Sequence, residues 1–271
     1  MKRKRKRRTH PVRILIILAI IGALSFFIAS EIIEKKRNES IEEKVDYLPA
    51  HSYDFTHLRN NGGIYSYEDE HYTSSFGIDI SEHNGDIDFE KVKEEGVEFV
   101  FIRVGYRGGI YGLLNKDKRF EEYYRGAKDA GLHIGFYFFS QAVDEKEAVE
   151  EADYLVSLVR GKQFDLPLVY DYEDFPDGRI QDLDGETRTE NVKAFLNRID
   201  LHGYQGMLYT NLYWLRYFYD VREVMNYPIW FAQYHEIPQY PCPFSIWQYS
   251  EEGELEGVEE KVDFNIMFIP K

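Results

Sequence analysis

Gly131-Leu132-His133-Ile134-Gly135-Phe136-Tyr137-Phe138-Phe139-Ser140 is the stretch on which the fold turns. The run from His133 to Phe139 is almost continuously apolar, as a strand buried on both faces requires, and Gly131 suits the left-handed residue that closes a helix. A helical period runs over 118–130 before it and another over 146–159 after it, the second ending near Gly161. Strand and helix therefore alternate about this point.

The alternation continues in both directions. Upstream, Gly77-Ile78-Asp79-Ile80 and Glu98-Phe99-Val100-Phe101-Ile102-Arg103 read as strands separated by a helix over 89–95. Downstream come Leu166-Pro167-Leu168-Val169-Tyr170-Asp171, a helix over 186–201 ending at Gly203, and four short strands over 206–209, 228–233, 244–249 and 262–265. Eight strands in some 195 residues with helices between them predict an irregular TIM-like (β/α) barrel with eight strands and reduced helices in the second half.

Composition agrees with one large core. The 271 residues are 44% apolar and include 19 Phe, 22 Tyr and 3 Trp, too much buriable surface for a chain disordered throughout. A disulfide framework is excluded, since Cys242 is the only cysteine; between Pro241 and Pro243 it reads as a small buried residue. Charge is divided unevenly. Eight of the 33 Lys and Arg lie within residues 1–13, so the remaining 25 face all 48 Asp and Glu, a net of −23. Such a body repels nucleic acid.

The basic segment 1–13 precedes 17 uncharged residues, Ile14 to Ser30. At 1.5 Å per residue they make about 25 Å of helix, enough to cross a bilayer. This predicts a transmembrane signal-anchor over 14–30 in the cytoplasmic membrane, with the positive flank inside and everything after Glu31 outside. A cleaved signal peptide and secretion is the alternative, because Ala23-Leu24-Ser25 offers small residues. Residues 31–75 are polar and without period, which predicts a linker, and 76–271 form the globular domain.

In a barrel of this kind chemistry gathers at the carboxyl ends of the strands. There stands Tyr170-Asp171-Tyr172-Glu173-Asp174. Residues two apart on an extended backbone share a side, so Asp171 and Glu173 project together with Cα atoms roughly 6–7 Å apart. Asp79 ends the first strand and Asp263 lies in the last, and barrel closure would bring both to the same mouth. Mutual repulsion and partial burial would then hold a proton on one of the four, and a protonated acid beside an ionised one can cleave a glycosidic bond. A hard-cation site for magnesium or calcium is the other reading of these oxygens. The eight His show no H-x-x-x-H spacing, which argues against zinc. Tyr106, Tyr137, Tyr209, Trp230 and Trp247 fall on or beside predicted strands, with Gln233 where one emerges. These six are candidate sugar contacts, packing being their alternative.

Several blocks together resemble the family 25 glycoside hydrolases, the Chalaropsis-type lysozymes. They are Gly77-Ile78-Asp79-Ile80-Ser81 with Asn84-Gly85-Asp86-Ile87-Asp88-Phe89, then Phe99 to Tyr106, Gly131 to Ser140, Asp171-Tyr172-Glu173, Pro228 to Tyr234, Ile246 to Ser250 and Val262 to Asn265. The resemblance covers about residues 76–268. It implies an N-acetylmuramidase cutting the β-1,4 bond between N-acetylmuramic acid and N-acetylglucosamine in peptidoglycan, with Glu173 as general acid, Asp171 as its companion, Asp79 and Asp263 lining the site, and no metal or cofactor. Phe89 departs from the family's usual Trp, and Glu259-Glu260 replace a position commonly small. An inactive peptidoglycan-binding module and a metal-dependent phosphodiesterase are the competing functional expectations.

Overall fold

The structure, a computed structural model, describes residues 50–175 and 178–271. The basic segment 1–13, the expected membrane span 14–30 and the first part of the linker lie outside the described residues. Among the described residues no helix is long and apolar enough to cross a membrane.

A hairpin of β1 (Leu58–Asn61) and β2 (Ile64–Tyr67) comes first. Then follow β3 (Tyr72–Ile80), α1 (Phe89–Glu94), β4 (Phe99–Arg107), β5 (Leu114–Lys116), α2 (Phe120–Asp129), β6 (His133–Phe139), α3 (Glu145–Val159), β7 (Leu168–Asp171) and α4 (Gly185–Leu201). The remainder is β8 (Gly206–Asn211), the short α5 (Leu212–Tyr217) and α6 (Val221–Val224), β9 (Ile229–Ala232), β10 (Ile246–Gly253) and β11 (Val262–Pro270). Asp144 and Asp184 start α3 and α4 by accepting the backbone N–H of Glu147 and Thr187. Gly131, Gly161 and Gly203, at φ 71°, 79° and 82°, lie just past α2, α3 and α4 as the spacing predicts.

β3, β4, β6, β7, β8, β9, β10 and β11 pair in that order, and β3 joins both β4 and β11, so eight strands close into a barrel with β5 added outside β4. Seven of the eight run parallel. β11 is antiparallel to both its neighbours, because the connection after Gly253 carries no helix and is too short for a parallel crossover.

Phe99, Phe101, Val169, Met207 and Ile246 fill the barrel. The two Phe rings fit because the facing positions are glycine: a Cβ on Gly135 would stand 2.2 Å from Phe101, and one on Gly77 2.4 Å from Phe99. Gly135→Ala is expected to destabilise the fold by ~1–3 kcal/mol through overpacking, read as a lower urea midpoint with an unchanged slope; an unchanged midpoint would show that the interior has slack.

The expected linker over 31–75 needs correction from residue 50 onward. Residues 50–67 lie as an aromatic strap against β10 and β11, whose outer faces have no helix to cover them. Tyr65 stacks on Trp247 at 5.4 Å and Tyr53 on Phe268 at 4.2 Å, while Phe55 meets both rings edge-on. The Tyr53 hydroxyl donates to the Phe244 carbonyl at 2.5 Å. Polar spacing residues between the rings conceal this role from any test of periodicity. The strand predicted over 77–80 likewise begins five residues earlier, at Tyr72, to pair with the end of β11.

Candidate active site

The carboxyl ends of the parallel strands surround a cavity of about 240 Å³ lined by Asp79, Tyr137, Asp171, Glu173, Tyr209, Trp230, Tyr234, Gln248, Glu251 and Asp263. The four carboxylates singled out in the sequence meet here. Asp171 is the last residue of β7, and two residues of extended chain carry Glu173 over the same opening. Asp79, near the end of β3, faces Asp263 directly in the β3–β11 register. The reversal of β11 is what makes this pairing, since it brings the start of that strand to the ends of the others.

Each carboxyl has its own surroundings. Asp79 Oδ2 accepts the side-chain amides of Gln248 and Asn265, both at 2.8 Å. Neither amide is free to turn: Gln248 Oε1 accepts the hydroxyls of Tyr209 at 2.8 Å and Tyr234 at 3.0 Å, and Asn265 Oδ1 accepts the Trp230 indole N–H at 2.8 Å. Burial pushes Asp79 up to about 6 against the pull of these amides. Asp263 goes higher, to about 9, through burial and the adjacent Asp79 charge. Burial and mutual repulsion thus keep the two from ionising together, so the pair holds one proton between them.

Glu173 Oε1 accepts Asn211 Nδ2 at 3.1 Å, and its backbone carbonyl accepts Gln141 Nε2 at 2.8 Å. Asn211 also caps α5, its Oδ1 accepting the Trp214 N–H at 3.0 Å, so the amide orientation is fixed from both ends. Burial lifts Glu173 to about 7, helped by the charges of Asp263, Glu251 and Asp174 and opposed by Asn211. Asp171 is pushed well above the usual carboxylate range by burial and by Glu173, and Arg103 works against the shift. Its Oδ1 is buried and meets no hydrogen-bond partner among the described residues, which leaves an acceptor or donor turned to whatever enters.

Of the six candidate sugar contacts, Tyr137, Tyr209 and Trp230 line the cavity and three do not. Tyr106 lies under the Arg103 guanidinium, 5.2 Å from it. Gln233 braces its own loop, its Oε1 accepting the Gln239 N–H at 2.7 Å. Trp247 points away from the barrel axis into the aromatic strap, its indole N–H donating to the Gln233 carbonyl at 2.8 Å. Strand alternation gives the reason, for Gln248 faces inward and its neighbour must face outward.

Tyr234, Gln248 and Glu251 line the cavity but lie outside the expected set. Gln248 could have been found by following the alternation from Trp247. Glu251 could not, because a register shift on β10 between Gln248 and Ser250 resets which residues face in. Arg103 continues the inward set of Phe99 and Phe101, held by Asp117 at 2.8 Å and Glu82 at 3.5 Å. Among the described residues no group of three His, Cys, Asp or Glu is arranged to hold a metal ion. Cys242 is buried.

A family model for the glycosyl hydrolases family 25 matches residues 78–258. The autolytic lysozyme of Clostridium acetobutylicum is 30% identical over 192 residues, covering 70% of this chain and 54% of that protein. Lysozyme M1 of Streptomyces globisporus is 30% identical over 205 residues, covering 70% of this chain and 66% of that protein. Among solved structures, the Clostridium perfringens spore cortex lytic enzyme SleM superposes with a TM-score of 0.64 at 26% identity, covering 72% of this chain and 67% of that one. The chain thus spans about half the length of the first of these relatives and just under two thirds of the second.

Proposed function

The chain belongs to the glycosyl hydrolases family 25, and from this premise we propose that it hydrolyses the β-1,4 bond between N-acetylmuramic acid and N-acetylglucosamine in peptidoglycan. The observation that carries the proposal is the meeting of Glu173, Asp171, Asp79 and Asp263 in one aromatic-walled cavity. Two relatives named lysozymes support the same substrate class.

Glu173 donates its proton to the glycosidic oxygen as the bond to the sugar carbon lengthens. Asp171, beside it and with a free oxygen, orients the 2-acetamido group of the substrate, whose carbonyl oxygen attacks the sugar carbon. The Asp79–Asp263 pair supplies one negative charge to the developing oxocarbenium ion. In the second step the ionised Glu173 takes a proton from water as the water oxygen bonds to the sugar carbon and the bond from the acetamido oxygen breaks, which restores the acetamido group. Mass spectrometry of digested peptidoglycan tests the proposal: new reducing ends on muramic acid are expected, and reducing ends on glucosamine, or no soluble glycan, would overturn it.

The acidities set a narrow working range. Glu173 must hold its proton and loses it as pH rises through about 7; Asp79 must be ionised and gains a proton as pH falls through about 6. The kcat/KM profile is therefore expected to be a bell centred between these values. A profile flat from pH 5 to 9 would show that neither group titrates in the reaction.

The proposed site of action is the outer face of the cytoplasmic membrane, with residues 14–30 as anchor. The eight bases ahead of 17 uncharged residues support this reading. Recovery of the intact chain in washed membranes, with its carboxyl-terminal domain open to added protease, is the expected outcome; release of a shortened chain into the medium would favour signal cleavage.

A further inference from the structure

The neighbour of Glu173 in the chain, Asp174, and the amide that binds its carboxyl, Asn211, both lead to one side chain that does not line the cavity. Arg188 on α4 is completely buried. Its Nε donates to the Leu183 carbonyl at 2.9 Å, and one terminal nitrogen donates to the carbonyls of Ile180 at 2.5 Å and Gln181 at 3.2 Å. That nitrogen also lies 3.5 Å from Oδ2 of Asp174, the residue bonded to Glu173. The guanidinium sits 4.6 Å from the Trp214 ring and 4.5 Å from the Phe218 ring. Trp214 is the residue whose N–H binds Asn211 Oδ1, and Asn211 Nδ2 binds Glu173.

A buried arginine that satisfies loop carbonyls is ordinarily a packing element. Here its second terminal nitrogen has no hydrogen-bond partner among the described residues, a cost that an apolar side chain of the same size would avoid. What an apolar side chain could not do is hold Asp174 and Trp214 at once. We infer that Arg188 is a positioning residue for Glu173: it joins the segment that continues from Glu173 to the helix whose cap binds Glu173, and so fixes the direction in which that carboxyl points. The inference rests on the proposed role of Glu173 as proton donor.

The full chain carrying Arg188→Lys tests it. Lysine keeps the charge but has neither the plane that stacks on the rings nor the fork that spans the carbonyls. Turnover on purified cell walls is expected to fall ~10- to 100-fold, the scale of a small misplacement of a reacting group. KM should stay within about threefold, because no substrate contact is touched. The alkaline limb of the kcat profile should move to higher pH as Asn211 loses its hold on the ionised carboxyl, while Asp171, Asp174, Glu251 and Asp263, the other charges facing Glu173, remain. Wild-type kcat with an unmoved limb in a folded Arg188→Lys protein would overturn the inference. Should that variant melt early, Trp214→Leu, which leaves the carbonyl contacts of Arg188 in place, must show the same loss of kcat and the same shift; full kcat there also overturns it. Full turnover in Glu173→Gln would remove the reading of Glu173 itself, whereas an inactive Glu173→Gln beside fully active Arg188 and Trp214 variants would remove only the role of Arg188.

Discussion

Glu173→Gln is expected to lower turnover on purified cell walls by ~10²–10⁴-fold, the usual worth of a general acid. The amide keeps the length of the side chain and an oxygen for Asn211 Nδ2, so the geometry around it survives. What disappears is the proton that the leaving oxygen needs. Stability should move the other way. Burial raises the folded-state pKa of Glu173 to about 7, above its value in the unfolded chain. Its contribution is therefore full at low pH and is lost as pH rises through about 7. The amide has no such loss, and at pH 8 the variant should melt at or above the wild-type temperature. Undiminished turnover would remove Glu173 from the acid role. A lowered melting temperature would mean that the carboxylate is held by contacts stronger than the single Asn211 bond.

A fragment beginning at residue 76 is expected to be insoluble or partly folded, where one beginning at 50 folds. The family match starts at residue 78, and a boundary drawn there would seem natural. It would remove the strap that covers Trp247, Tyr249 and Phe268, which are now 0%, 6% and 4% exposed. Uncovering an aromatic side chain costs ~1.5–3 kcal/mol. Three such losses take a large part of the ~5–15 kcal/mol that holds a typical domain together. The cut also deletes the first four residues of β3, Tyr72 to Ser75, which pair with Met267 to Pro270 of β11. Equal yields and equal denaturation midpoints for the two fragments would show that the strap is decoration.

Much of the barrel was legible because its signals are local. Apolar runs such as 133–139 and the glycines that close α2, α3 and α4 depend on neighbours in sequence, and these elements fall within one or two residues of their expected places. The strap was hidden because its rings stand at irregular intervals and gain meaning only from the uncovered outer face they meet. The direction of β11 was hidden because a strand carries no mark of polarity; only the short connection after Gly253 reveals it.

The cavity was readable to the same extent. Asp171 and Glu173 follow from strand spacing and Asp79 from closure, whereas Asp263 reaches the mouth only because β11 is reversed. The clamps were less readable: Gln248 follows from alternation beside Trp247, but Asn211 and Arg188 come from elements distant in sequence and carry no motif, and nothing local pairs Asn265 with Asp79. Trp247 shows the opposite error. An aromatic beside a strand end attracts attention, yet it is Gln248, the plain neighbour, that holds Asp79.

The single reversed strand also decides how the domain can be handled. Because β11 runs back down the wall, Pro270 ends opposite Tyr72, and the Lys271 N–H donates to the His71 carbonyl at 2.9 Å. Both entrances to the barrel are therefore at its floor, away from the mouth. A reporter or surface-coupling tag joined after Lys271 would leave the opening unobstructed, and immobilising the protein through that tag would present every copy with its cleft toward the solution.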